Sequence, residues 1–92
     1  MYLRSFMQPW IVNPDGKLFR AYRFPDFSAC MAFMVQAGFL MEKMNHHAEW
    51  SNVYNRLEIQ LCTHDAGNSI TDKDHQLAAA IEQLFHSLYP AS

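Results

Sequence analysis

Val53-Tyr54-Asn55-Arg56-Leu57-Glu58-Ile59-Gln60-Leu61-Cys62-Thr63-His64 is the stretch on which the reading of the fold turns. One parity carries Val53, Leu57, Ile59 and Leu61; the other carries Tyr54, Arg56, Glu58, Gln60, Cys62 and His64. A repeat of two with one apolar and one mostly polar set predicts a strand with a buried face and an open face. By that parity His64 points away from the core, and its imidazole is available for chemistry.

Ahead of this strand, Ala48 to Asn52 is a candidate for a further short strand. Still earlier, Asn13-Pro14-Asp15-Gly16 separates two apolar, aromatic-rich stretches. Proline fixes its own φ there and glycine is free to take φ > 0, so Trp10 to Asn13 and Lys17 to Phe24 are expected to pair as an antiparallel hairpin. Pro25-Asp26 closes the second strand, and Asp26 is a suitable N-cap for a helix starting at Phe27. Up to about Asn45 the rows Phe27, Met31, Met34, Gly38, Met41 and Cys30, Phe33, Ala37, Leu40, Met44 recur at helical spacing and define a broad apolar face. Methionines in such a stripe are read as core filler ahead of a promiscuous partner groove.

Beyond the alternating strand, Asp65 to Ser69 reads as a loop around Gly67 and Asn68. Thr71 followed by Asp74 forms a capping-box-like start. Leu77, Ile81, Leu84, Phe85 and Leu88 then describe an amphipathic helix that stops before Pro90. These elements are most economically packed as an α+β fold, an antiparallel sheet with helices covering one face.

The chain has 92 residues, half of them apolar, with seven Phe, four Tyr and two Trp. It fits a single domain over residues 1–92. A chain of this size buries only roughly 60 to 65% of the surface its unfolded form exposes, so aromatic burial and oligomerisation are the expected aids to stability. Net charge is −2 with scattered basic residues, which disfavours direct nucleic-acid binding. Cys30 and Cys62 form no CxxC pair and read as reduced thiols. No apolar run approaches a membrane span and the N-terminus lacks the pattern of a secretory signal, so a soluble cytoplasmic protein is expected.

Three of the five histidines fall at expected element ends: His46 and His47 where the long helix stops, and His64 where the strand stops. Neighbouring imidazoles can divide proton-donating and proton-accepting roles near neutral pH, the equipment an elimination needs. Glu42 lies one turn before His46, where its carboxylate would fix an imidazole tautomer. Trp50 offers a flat surface to a planar ring. Competing structural readings exist for each. His46-His47 is also explained as a polar helix end, Glu42 as a solvated helix residue, Trp50 as a half-buried aromatic, and Asp74 as a capping residue alone. His75 and His86 lie on or beside the polar side of the last helix and are assigned no function. Three histidines suffice for zinc or iron, but no HxH, HxxxH or HExxH spacing occurs, so no metal is expected.

At these residues the chain resembles the pterin-4a-carbinolamine dehydratases, whose animal members also serve as dimerisation cofactors of a homeodomain transcription factor. The likeness runs from about Trp10 to Leu84 and is strongest over Glu42-Lys43-Met44-Asn45-His46-His47-Ala48-Glu49-Trp50-Ser51-Asn52-Val53-Tyr54-Asn55-Arg56, Thr63-His64-Asp65-Ala66-Gly67 and Thr71-Asp72-Lys73-Asp74. An acidic residue, paired histidines, a tyrosine, a third histidine and a final aspartate stand in order at compatible spacings.

The resemblance implies a four-stranded antiparallel sheet with two or three helices on one side, assembled as a homodimer or homotetramer. It implies a catalytic set of His46, His47 and His64. Around the pterin it implies Glu42, Asn45, Ala48, Trp50, Thr63, Asp65, Ala66 and Asp74, with no cofactor. The implied reaction converts a 4a-hydroxy-tetrahydropterin to quinonoid dihydropterin and water, with a transcription-factor partner as an alternative or additional role. Another pterin as substrate is a further alternative. Three departures stand out. Ala48 replaces the family's usual proline, Gly67-Asn68-Ser69-Ile70 replaces a shorter Gly-Gly-Leu loop, and the helix ahead of the first strand is missing or reduced to Met1 to Gln8.

Overall fold

Asn13 organises the first hairpin with one side chain. Its Oδ1 accepts the backbone N–H groups of Asp15 and Lys17, both at 3.0 Å, while its Nδ2 donates to Gln60 across the sheet at 2.8 Å. Gly16, at φ 76, supplies the positive φ the turn needs. In the computed structural model, which describes residues 10–90, the hairpin joins β1 (Ile11–Val12) to β2 (Leu18–Arg23). There follow α1 (Phe27–Met44), β3 (Glu49–Val53), β4 (Arg56–Leu61) and α2 (Asp72–Leu88). Met1 to Gln8, expected to hold at most a reduced helix, lies outside the described residues.

The strands form one antiparallel sheet in the order β1-β2-β4-β3. Register sets Leu18 opposite Leu61, Arg20 opposite Ile59 and Tyr22 opposite Leu57 on the covered face. Phe33, Ala37 and Met41 from α1 and Leu77, Ala78 and Ile81 from α2 complete the same buried cluster, so both helices lie on that face. Asp26 caps α1 by accepting from the Ala29 N–H at 2.9 Å, as its sequence position leads one to expect.

Two expectations need correction. The alternation does not run unbroken from Val53. A two-residue turn at Tyr54-Asn55 divides it into β3 and β4, and Val53, paired with Arg56, is 73% exposed. The candidate strand at Ala48 to Asn52 is real, one residue later. At the other end β4 stops at Leu61, and Cys62 and Thr63 are both buried because the period of two has ended.

One charged group lies in the covered face. Arg20 reaches Glu82 of α2 through Nε and Nη2, each at 3.2 Å, and stacks its guanidinium 4.3 Å from the Tyr22 ring centroid. The Tyr22 hydroxyl donates to the same carboxylate at 2.6 Å. Burial pushes the Glu82 carboxyl up, but the Arg20 and Tyr22 hydrogen bonds outweigh it and hold the group below its ordinary value. Tyr22, desolvated and facing that anion, is pushed far above the usual phenol range.

Candidate active site

The site begins where α1 ends. Asn45 takes the left-handed conformation at φ 54, with its N–H directed to Glu42 O, and the His46 N–H follows to Met41 O at 3.0 Å. Asparagine enters that region at little cost, and a single such residue breaks the helical screw. His46 is thereby carried off the helix towards the start of α2, where its Nε2 lies 2.6 Å from Asp74 Oδ1. His47 returns towards the helix and its Nε2 sits 2.9 Å from Glu42 Oε1. The expected Glu42–His46 pairing is therefore corrected to Glu42–His47, because the helical spacing on which it rested ends at Met44.

Asp74 is fully buried. Its Oδ2 accepts the Thr63 hydroxyl at 2.7 Å and the Thr71 N–H at 2.8 Å, and its Oδ1 meets His46. Burial raises the pKa of this carboxyl; the hydrogen bonds from His46, Thr71 and Thr63 and the His46 charge lower it further than burial raises it. The net direction is down, so an ionised carboxylate stands inside the protein with its oxygens satisfied. Asp74 does close a capping box with Thr71, as the sequence suggests, but the reading of it as a cap alone is incomplete.

Thr63 also fixes the turn that carries His64. Its N–H donates to Ser69 O at 2.9 Å, and its carbonyl accepts from Ala66 and Asn68 at 3.1 and 3.0 Å. His64 to Ala66 form one turn of 3-10 helix closed by Gly67 at φ 73, and all three residues are exposed. His64 does face away from the core, but by virtue of this turn and not of strand parity. Glu49, the first residue of β3, is ion-paired to Lys17 at 2.8 Å. The Lys17 ammonium holds the Glu49 carboxyl below its usual range, with a smaller contribution from His64.

Of the residues singled out in the sequence, His46, Thr63 and Asp74 thus share one hydrogen-bonded set, and His64, Asp65 and Ala66 adjoin it through the Thr63 backbone. His47 and Glu42 form a separate, exposed pair, and Asn45 is the hinge between the two histidines. Trp50 stands opposite Ile59 and, with Ala48, packs half-buried against the core. Thr71, by its sequence position a cap only, also has its hydroxyl 2.7 Å from that of Thr63. The signal was present in the Thr71-to-Asp74 spacing, but the partner eight residues earlier was not legible from it. His46 has 12% of its side chain exposed, so an imidazole backed by a carboxylate keeps an edge open to a ligand. That arrangement suits proton transfer. Among the described residues no group of three or more His, Cys, Asp or Glu side chains is placed to hold a metal ion, and no helix there is long and apolar enough to cross a membrane.

Comparison with known proteins gives concordant results. The family model described as "Pterin 4 alpha carbinolamine dehydratase" matches residues 2–84. A protein of Solibacter usitatus is 57% identical over 70 residues, covering 76% of this chain and 73% of its own length. One of Sinorhizobium medicae is 42% identical over 85 residues, covering 91% and 80%. Both are named "Putative pterin-4-alpha-carbinolamine dehydratase". Among solved structures, a transcriptional coactivator/pterin dehydratase from Brucella melitensis superposes with a TM-score of 0.77 at 31% identity, over 89% of this chain and 90% of that one. A pterin dehydratase-like RuBisCO assembly factor of the alpha-carboxysome shares the fold, with a TM-score of 0.73 at 17% identity, over 86% and 92%.

Proposed function

This chain belongs to the pterin 4 alpha carbinolamine dehydratase family, and from that premise we propose that it dehydrates a 4a-hydroxy-tetrahydropterin to the quinonoid dihydropterin in tetrahydrobiopterin recycling. The observation that carries the reading is the His46–Asp74 contact at 2.6 Å, a largely buried imidazole held by a buried carboxylate. The reaction takes a proton from ring N5, forms the N5=C4a double bond and expels the C4a hydroxyl as water after its protonation. His46 and His64 are the proton-transfer pair in this proposal. His47 binds and polarises, and Glu42 and Asp74 support the two helix-end histidines. Positioned acid–base groups contribute about 10² to 10⁴ in rate, which suits a substrate that already dehydrates unaided. The substrate-binding set is Asn45, Ala48, Trp50, Asp65 and Ala66, with Thr63 behind them, its hydroxyl on Asp74 and its backbone in the His64 turn. The reading carries a cytoplasmic, reducing setting, in keeping with free thiols at Cys30 and Cys62, and assembly as a homodimer or homotetramer.

The test supplies freshly generated 4a-carbinolamine and follows its absorbance. Acceleration over buffer is expected, and a folded protein that gives none sinks the proposal. Running the same assay with other 4a-hydroxypterins separates biopterin from another pterin cofactor as the substrate.

A second reading, a module that stabilises a partner protein, is favoured by the outer side of α1, where Val35 and Phe39 are 56% and 70% exposed. Size-exclusion and pull-down measurements discriminate. A monodisperse homo-oligomer that captures no partner argues against it.

A further inference from the structure

Capping the first turn of α2 requires only two side chains. Thr71 Oγ1 accepts the Lys73 N–H at 3.3 Å, and Asp74 reaches back to the Thr71 N–H. The Thr63 hydroxyl is surplus to that motif, yet Thr63 is 8% exposed and donates to Asp74 Oδ2 from eleven residues away at 2.7 Å. A hydroxyl has one proton to donate. Thr63 spends it on a carboxylate that can only accept, so in the 2.7 Å contact between the two threonine hydroxyls Thr71 is the donor. Donation therefore runs in one direction, from the Lys73 N–H through Thr71 and Thr63 to Asp74. The far oxygen of that carboxylate, also acceptor-only, faces His46 Nε2, which must then carry a proton. In the neutral imidazole the nitrogen left without a proton is Nδ1.

The backbone of the same threonine closes the His64 turn through three hydrogen bonds, from its N–H to Ser69 and to its carbonyl from Ala66 and Asn68. One residue thus supports His46 through its side chain and His64 through its main chain. We propose that Thr63 is a positioning residue that registers the two imidazoles against each other and, by anchoring the Asp74 carboxylate in place through Oδ2, keeps His46 in its Nε2–H form, leaving Nδ1 as the atom that exchanges a proton with substrate. The catalytic part of this statement rests on the dehydratase reading; the tautomer and its dependence on Thr63 do not. His46 is the titratable side chain that faces Asp74. Asp72, Lys73 and His75 on α2, and His64 and Asp65 on the preceding turn, are exposed.

Long-range proton–nitrogen NMR on the 15N-labelled protein at about pH 8, above the ordinary titration range of imidazole, reads the tautomer directly. The expected result is a protonated Nε2 and a bare Nδ1 at His46. Thr63→Val keeps the shape and removes the hydroxyl. It is expected to mix the two tautomers, to lower turnover roughly tenfold at neutral pH, and to move the acid limb of the pH–rate profile upward, since Asp74 loses a donor that favours its ionised form. Thr63→Ser is expected to restore all three, which a purely packing role for the γ-methyl would not. A bare Nε2 in the parent protein overturns the proposal, whether or not the valine variant folds. So does a folded valine variant whose His46 signals and acid limb match the parent's. A parent protein with the expected tautomer but no dehydration would instead count against the dehydratase reading alone.

Discussion

Asp74 keeps an ionised carboxylate out of contact with water, and its hydrogen bonds make that state stable. Because its folded pKa is depressed, the unfolded chain binds more protons between the two values, so this group adds stability above the unfolded pKa of about 3.9 and loses it as pH falls through the folded value. Asp74→Asn is expected to flatten that dependence. Urea unfolding of parent and variant between roughly pH 6 and pH 3 should show the parent losing more stability on acidification than the variant; equal losses would refute the assignment. At this scale the sequence was partly legible. His46, Thr71 and Asp74 are visible as a helix end and a capping box, but the Asp74–His46 contact spans 28 residues and depends on Asn45 adopting a positive φ, which asparagine permits without announcing.

The elements were legible wherever a local rule had no competitor. Asn13-Pro14-Asp15-Gly16 marked its hairpin, and Asp26 and Thr71 marked their helix starts, because each motif satisfies its own backbone groups. The β3–β4 hairpin was obscured. Its turn is Tyr54-Asn55, without glycine, and Val53 imitates the parity of the following strand. Asn52 compensates by donating its side chain to the Tyr54 and Arg56 carbonyls at 3.0 and 2.9 Å. Tyr54 sits at φ 52 while 62% exposed, so it bears the cost of a left-handed conformation with little packing in return. Tyr54→Gly is expected to stabilise the protein by up to about 1 kcal/mol, read as a higher urea midpoint at unchanged slope. A lower midpoint would mean the ring contributes contacts that outweigh the strain.

Across the whole molecule, Phe33 joins sheet to helices. It is fully buried, with ring centroids of Phe24, Tyr22 and Phe85 at 5.1, 5.4 and 5.9 Å. Phe33→Ala is expected to cost about 3–5 kcal/mol, a large share of the roughly 5–14 kcal/mol that a chain of this length typically commands. Equilibrium unfolding measures it, and a loss under about 1 kcal/mol would show that the core collapses around the missing ring. The same core sets the covered face of the sheet, and with it the rim where the end of α1, the turn after β4 and the start of α2 meet. The strand and helix periodicities and the order of the elements made this architecture foreseeable as α+β with helices on one face, while the buried Arg20–Glu82 pair was not foreseeable, since nothing in the Leu18–Arg23 alternation marks an arginine as inward-facing.

The central claim is that His46 and His64 act together on a 4a-hydroxypterin. Stopped-flow dehydration of the carbinolamine by the parent protein, His46→Ala, His64→Ala and the double variant tests it, with folding checked by circular dichroism. Each single variant is expected to lose roughly 10²-fold in rate, and the double variant little more than the worse single, because the two imidazoles serve one elimination. Parent-like rates in either single variant would contradict the account.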